Sequence, residues 1–168
     1  MMRRIGSRRA LPAIALAGAL AFGMIGCSAP APTPQPSPPQ STEQALAEYG
    51  NLSEAVTTAA PRVVAVTDLG RSRNGLGERL ELTLLTDVAE PFSAEELDAV
   101  TEAIWQALPW EPNAIDLVAG VESAGGTEPV DLRTAAGQLS PMGFAESGQG
   151  GVSLFDMAAR YGARTAPE

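Results

Sequence analysis

The chain has 168 residues, with 20 acidic side chains against 11 basic ones, all of them arginine, for a formal charge of −9. Histidine and lysine are absent and there is a single cysteine. These absences exclude a histidine general base, a Ser-His-Asp triad, a Schiff-base or P-loop lysine, a His₂ or Cys₂His₂ metal site and an intramolecular disulfide. The length fits one domain of the usual size, about 100–200 residues.

The N-terminus reads as an export address. Arg3, Arg4, Arg8 and Arg9 precede an apolar run of 15 residues, Leu11 to Ile25, and then Gly26 and Cys27. That run is shorter than the roughly 18–20 apolar residues a membrane-spanning helix needs. A basic segment, an apolar segment and a small residue before a cut, in that order, match a secretory signal. An uncleaved anchor is the alternative, against which Pro12 speaks.

The junction Met24-Ile25-Gly26-Cys27 resembles the lipobox of bacterial prolipoproteins, departing from it in Met24, where leucine is commonest. The resemblance covers residues 1–27. It implies diacylglyceryl attachment to the Cys27 thiol, cleavage before that residue and a palmitate-bearing anchor on the extracytoplasmic side of the cell membrane. Each buried methylene of such chains contributes about 0.8 kcal/mol, so two or three chains hold durably where one does not. Ser7-Arg8-Arg9-Ala10-Leu11 also resembles a twin-arginine export motif, and the choice between the two export routes stays open.

Residues 28–40 alternate proline with small polar residues, with Pro30, Pro32, Pro34, Pro36, Pro38 and Pro39. Such a segment adopts extended polyproline II at about 3.1 Å per residue and reaches roughly 40 Å, the dimensions of a tether. A PxxP ligand is the competing reading. The organisation expected is a signal peptide over 1–26, a lipidated Cys27 with a Pro-rich tether over 27–40, and one domain over 41–168. The chain from Cys27 onward has 7 arginines and 20 acids, a charge of −13. That charge opposes binding to nucleic acid or to anionic lipid.

Within the domain, residues 42–60 have helical spacing at Leu46, Tyr49, Leu52 and Val56, are interrupted at Gly50-Asn51 and end at Pro61. Residues 62–70 are β-branched and predict a strand, Asn74-Gly75 a hairpin turn, and 78–86 a second strand with Leu80, Leu82 and Leu84 on one face. Ser93-Ala94-Glu95-Glu96 has the pattern of a capping box, with Phe92 and Leu97 placed as a hydrophobic staple. The helix it starts carries Leu97, Val100, Ile104 and Leu108 and stops at Pro109. Ile115, Leu117, Ala119 and Val121 predict a third strand, and residues 123–127 a turn. Residues 131–139 predict a short helix and 147–151 a loop; Ser153-Leu154-Phe155-Asp156 resembles a second capping box opening a last helix.

The order α-β-β-α-β predicts an α+β two-layer sandwich with a three-stranded sheet in the order 2-1-3, plus two short C-terminal helices. This element order resembles half of a ferredoxin-like unit, or a BON-type module of exported bacterial proteins. The whole layout also resembles small uncharacterised lipoproteins of high-GC Gram-positive bacteria, a likeness that implies no activity and carries over only Cys27.

Glu95, Asp98 and Glu102 read as a solvated helix face, with metal ligation the sharper alternative. Asp87 with Glu90 is a carboxylate pair lacking a partner that would tune it, and the glycine-rich residues 148–151 lack the lysine of a phosphate loop. Trp105 and Trp110 read as closing a helix-to-strand corner. Val63, Ala65 and Val118 make the second sheet face less polar than a bare face should be, unless C-terminal helices cover it. The expectation is a non-catalytic protein without cofactor or metal, anchored through lipid on Cys27. It acts as a binding or accessory module for an envelope protein, or alternatively as an extracytoplasmic carrier of a small ligand.

Overall fold

A computed structural model describes residues 42–75 and 77–164; the signal peptide and Pro-rich tether expected from the sequence, and Cys27, lie outside the described residues. Helices α1 (Thr42–Tyr49) and α2 (Leu52–Ala59) precede strands β1 (Val63–Asn74) and β2 (Gly77–Thr86). Helix α3 (Ala94–Ala107) leads to strands β3 (Pro112–Ser123) and β4 (Gly126–Val130). Helix α4 (Arg133–Ala136), strands β5 (Gly143–Glu146) and β6 (Val152–Phe155), and helix α5 (Met157–Tyr161) complete the order. The class is α+β, and the six strands form one mixed sheet.

The kink between α1 and α2 falls at Gly50-Asn51, as the sequence predicts. Gly50 holds a left-handed φ of 62°. A Cβ there would also lie 2.9 Å from the Ala107 carbonyl oxygen at the end of α3. Gly50→Ala is therefore expected to cost about 2 kcal/mol, from the unfavourable dihedral and the contact together. A shift of the urea midpoint at unchanged slope measures it.

The capping box of α3 is formed as expected: the Glu96 amide donates to Ser93 Oγ at 3.2 Å, and the Ser93 amide donates to Glu96 Oε2 at 2.8 Å. Phe92 and Leu97 are both buried beside it. From α3 the stripe of Leu97, Val100 and Ile104 meets Leu80, Leu82 and Leu84 of β2 in one core.

The sheet departs from the predicted three strands and from the order 2-1-3. β3 lies beside β2 and runs parallel to it, pairing Leu80 with Ile115, Leu82 with Leu117 and Leu84 with Ala119. The turn-free return through α3 makes a β-α-β unit, whose natural product is an adjacent parallel strand. β1 is left at the edge, and its sequence suits an edge. Two register breaks interrupt its pairing with β2, and Arg71, Arg73 and Asp68 are exposed along it. The cleanly alternating β2 takes the interior position.

The C-terminal third is also more extended than expected. The 123–127 turn joins β3 to a further strand, β4, which pairs with Ala119–Ser123. β6 pairs antiparallel with Ala114–Leu117 on the same edge of β3, and β5 pairs with β6. The predicted second capping box at Ser153 does not form. Residues 152–155 instead alternate Val152 and Leu154, both buried, with Ser153 and Phe155. That period of two belongs to a strand. Helix α5 starts only at Met157, after Asp156 turns the chain with a φ of 63°. The two short C-terminal helices differ in detail from those predicted: α4 covers only Arg133–Ala136, α5 starts at Met157, and the β5–β6 hairpin lies between them. Leu132, Ala135 and Leu139 are buried, as the 131–139 spacing implies.

Apart from Ala114, the buried apolar residues of the sheet and of α2, α3, α4 and α5 belong to one cluster, which places these helices on one side of the sheet. Trp105 is buried within it. Trp110 is half-buried at the start of β3, donating from Nε1 to the Glu48 carbonyl at 2.8 Å with the Arg71 guanidinium 4.4 Å from its ring centre. Both tryptophans thus close the corner between α3 and β3, and Trp110 also secures α1.

Candidate functional site

In paired strands, opposed residues share a face, so the register names the side turned away from the helices. Thr67 with Thr83, Gly70 with Glu81, Glu81 with Asp116, Thr83 with Val118, and Asp116 with Ser153 all lie on that outer side. On the inner side the same strands present Leu80, Leu82, Leu84, Ile115, Leu117 and Leu154, each at most 2% exposed. The outer residues just named are half-buried or exposed, while Ala114 and Gly120 on the same side of β3 are buried. The C-terminal helices do not cover this face; they pack against α3 on the inner side.

The outer face is concave. A depression of about 270 Å³ runs over Glu81, Thr83, Asp116 and Val118, and a second of about 210 Å³ continues over Thr83, Val118 and Pro129. Thr83 and Val118 are floor to both, and Asp68 borders both, so the two form one trough.

Each wall comes from a local departure from regular structure. On the β1 side the register slips between Thr67 and Gly70, so that Asp68 and Leu69 stand where β2 offers one residue. Such a bulge re-aims side chains: Leu69 packs against the core, while Asp68, at a φ of 52°, is exposed along the trough. The opposite wall is the 147–151 turn. It occupies the gap along β3 between the stretch paired with β6 and the stretch paired with β4. The Ser147 amide donates to the Gly151 carbonyl at 2.9 Å, and the Leu132 amide to the Gly150 carbonyl at 2.9 Å. A Cβ at Gly151 would lie 2.7 Å from the Leu117 carbonyl oxygen, so only glycine lets this turn press onto β3.

The charge of the trough is negative. Asp116 is held by Arg79 Nη1 at 2.8 Å and accepts a short hydrogen bond from the Ser153 hydroxyl. Glu81 accepts from Ser72 Oγ at 2.8 Å, and Asp68 from Thr67 Oγ1 at 3.2 Å. Neither Glu81 nor Asp68 has an arginine within ion-pair distance among the described residues. One end of the trough therefore carries two uncompensated carboxylates; the floor beyond them, at Thr83, Val118 and Pro129, is uncharged.

Cys27 lies outside the described residues. Of the second-face residues singled out in the sequence, Ala65 and Val118 are half-buried on the outer side, but Val63 is 2% exposed and belongs to the core. A register break after Val63 is the reason, and Val64, 60% exposed, faces solvent in its place. Glu95 and Glu102 are exposed as a solvated helix face should be, whereas Asp98 is not part of it. Asp98 receives Arg160 and, at 2.6 Å, the hydroxyl of Tyr161. Asp87 and Glu90 stand exposed in the loop before α3. The glycines of 148–151 build the trough wall. Among the described residues, no three acidic or cysteine side chains converge in an arrangement that could hold a metal ion, and no helix is long and apolar enough to cross a membrane.

Asp68 is not legible in the sequence, because a bulge leaves no trace in an alternation pattern. Glu81 and Asp116 were legible as outward-pointing, but the wrong strand order hid that they are neighbours. Comparison with protein families, curated proteins and solved structures returns no match, so the functional reading rests on these residues.

Proposed function

We propose that the protein is a non-catalytic, lipid-anchored accessory module that presents its uncovered sheet face to a protein of the cell envelope. The observation that carries this reading is the outer face itself. Among the described residues the six strands are packed by helices on one side, and the other side is a walled trough with Val118 on its floor. An antiparallel or mixed sheet tolerates one wet face, but a wet face has no need of walls.

The anchor in this reading is Cys27, reached through the Pro-rich tether, with the domain on the extracytoplasmic side. A Pro-rich segment extended at about 3.1 Å per residue would let the domain meet a partner clear of the head groups. The strong negative charge sets the domain off from an anionic membrane surface, so the association with membrane is through lipid rather than through charge.

A small-ligand carrier is the second reading, and one feature favours it: an apolar depression of about 260 Å³ between α1, α2 and Leu69, lined by Leu46, Tyr49 and Leu52. It is open to solvent, and smaller than the roughly 300–1,000 Å³ of sites that bury a ligand. The binding module is favoured for that reason.

Two measurements on the full chain test the proposal. Labelling with palmitate is expected in the wild type and lost in Cys27→Ala, with the variant shed from the membrane fraction. Envelope extract passed over the immobilised protein is expected to leave one defined protein bound. Retention of a small molecule and no protein would favour the carrier.

A further inference from the structure

The chemistry of the trough narrows its occupant further, on the premise that the outer face is a docking surface. We propose that it binds an extended polypeptide segment of the partner that carries arginine or lysine, the cationic side chain seated between Asp68 and Glu81.

Shape is the first argument. The trough follows the strands over β2 and β3, from Glu81 and Asp116 at one end to Thr127 and Pro129 at the other. Between Glu81 and Leu85 a strand rises about 13 Å at the usual 3.3 Å per residue, enough for roughly four residues of an extended chain. Its sides are lined by Asp68 on the β1 edge and by Ser147 and Gln149 opposite, so the depression runs along the strands as an extended chain would.

Charge is the second. Arg62, Arg71, Arg73, Arg79, Arg133 and Arg160 are each within ion-pair distance of a carboxylate of this chain. The acidic surplus is thus free to act on what approaches. In the trough Arg79 is committed to Asp116, while Asp68, on the β1 wall, and Glu81, on the adjoining floor, line the same depression with hydroxyl partners alone. A guanidinium or ammonium placed there meets two carboxylates, and its aliphatic stem can lie along Thr83 and Val118. An anionic segment, a nucleic acid or an anionic lipid headgroup would be repelled at the same place.

The test uses the full chain and fluorescently labelled short peptides that alternate valine with arginine, glutamine or glutamate, followed by anisotropy at two salt concentrations. The arginine peptide is expected to bind about tenfold more tightly than the glutamine peptide, with the difference shrinking at high salt. The Asp68→Asn, Glu81→Gln double variant is expected to abolish that preference. Asn is well tolerated at the left-handed φ of residue 68, so the fold is kept. A control pair, Glu95→Gln with Glu102→Gln, removes the same charge from the exposed face of α3 and is expected to leave the preference within about twofold of wild type. Equal weakening by the two pairs would mean diffuse attraction and would overturn the proposal. Equal binding of the arginine and glutamine peptides would overturn the charge selectivity while leaving a docking trough. Failure of every peptide to bind, with an envelope protein still retained, would overturn the inference and leave the module reading standing.

Discussion

Arg62→Ala is expected to lower the stability of the domain by about 3 kcal/mol, a large effect for a residue outside the apolar core. Arg62 sits between α2 and β1 with its side chain only 11% exposed. Its guanidinium donates to the carbonyls of Val88 at 3.2 Å and Pro91 at 3.3 Å, to that of Glu90, and to Glu96 Oε2 at 3.4 Å. The plane of the group also lies 4.5 Å from the Phe92 ring centre. One side chain therefore ties the start of β1 to the whole loop that leads into α3, and to the glutamate of that helix's capping box.

A lysine has neither the fork nor the plane to do this. Arg62→Lys is expected to lose about half as much stability, with charge retained throughout. Urea denaturation of the two variants separates geometry from charge: equal stability of the lysine variant and the wild type would show that charge alone matters at this position. Glu96 reports on the same junction. Its carboxyl is held below the usual range, chiefly by the Ser93 amide, with Arg62 adding to the effect.

Asp98→Ala is expected to cost about 2 kcal/mol and to loosen the C-terminal helix before the rest of the domain unfolds. Asp98 lies on α3 and holds α5 through two residues. Arg160 Nε donates to Asp98 Oδ1 at 2.7 Å, a second guanidinium nitrogen donates to Oδ2, and Tyr161 donates to Oδ1. Arg160 reaches on to the Ser140 carbonyl at 2.7 Å, so the α4–β5 connection is held by the same group. The side chains of the pair are 24% and 31% exposed, which moderates the effect relative to a fully buried pair.

The pH dependence has a definite sign. Hydrogen bonds from Arg160 are the main reason the Asp98 carboxyl is held below its ordinary 3.8. A carboxylate with a depressed folded-state pKa contributes its full stabilisation above the ordinary value, and loses it as pH falls through the depressed one. The gap between wild type and Asp98→Ala should be constant from neutral pH down to about pH 5, and close progressively below that. A gap that persists unchanged into strong acid would assign the effect to packing instead. Burial pushes the Tyr161 phenol upward, and its bond to Asp98 adds to the shift, so the tyrosine does not titrate in this window.

How far the sequence carries can be seen element by element. The break at Gly50, the capping box at Ser93 and the leucine face of β2 were all legible because each depends on neighbours in the chain. Strand order was not, because it depends on which edge of the hairpin receives the returning chain. The irregularity that disqualifies β1 from the interior is spread over Asp68, Gly70, Arg71 and Arg73 rather than concentrated in a motif. In sequence β6 has the pattern of a helix start, because Ser153 and Asp156 satisfy the spacing of a cap. Only the pairing of Leu154 with Ile115 and of Val152 with Leu117 decides the matter. The site was illegible for the same reason twice over. Its walls are a bulge and a packed turn, and its acidic end joins residues from β1, β2 and β3 that only the correct strand order makes neighbours.

The central claim is that the outer sheet face, and no other part of the domain, meets a partner. A photocrosslinking side chain placed at Val118 in the full chain, in intact cells, tests it most directly. Val118 is half-buried on the trough floor, so the substitution leaves the helical core untouched. The same group at Glu95, exposed on α3, serves as the comparison. One discrete crosslinked protein from position 118, and none from position 95, is the result expected. No crosslink at 118, or the same products from both positions, would contradict the account.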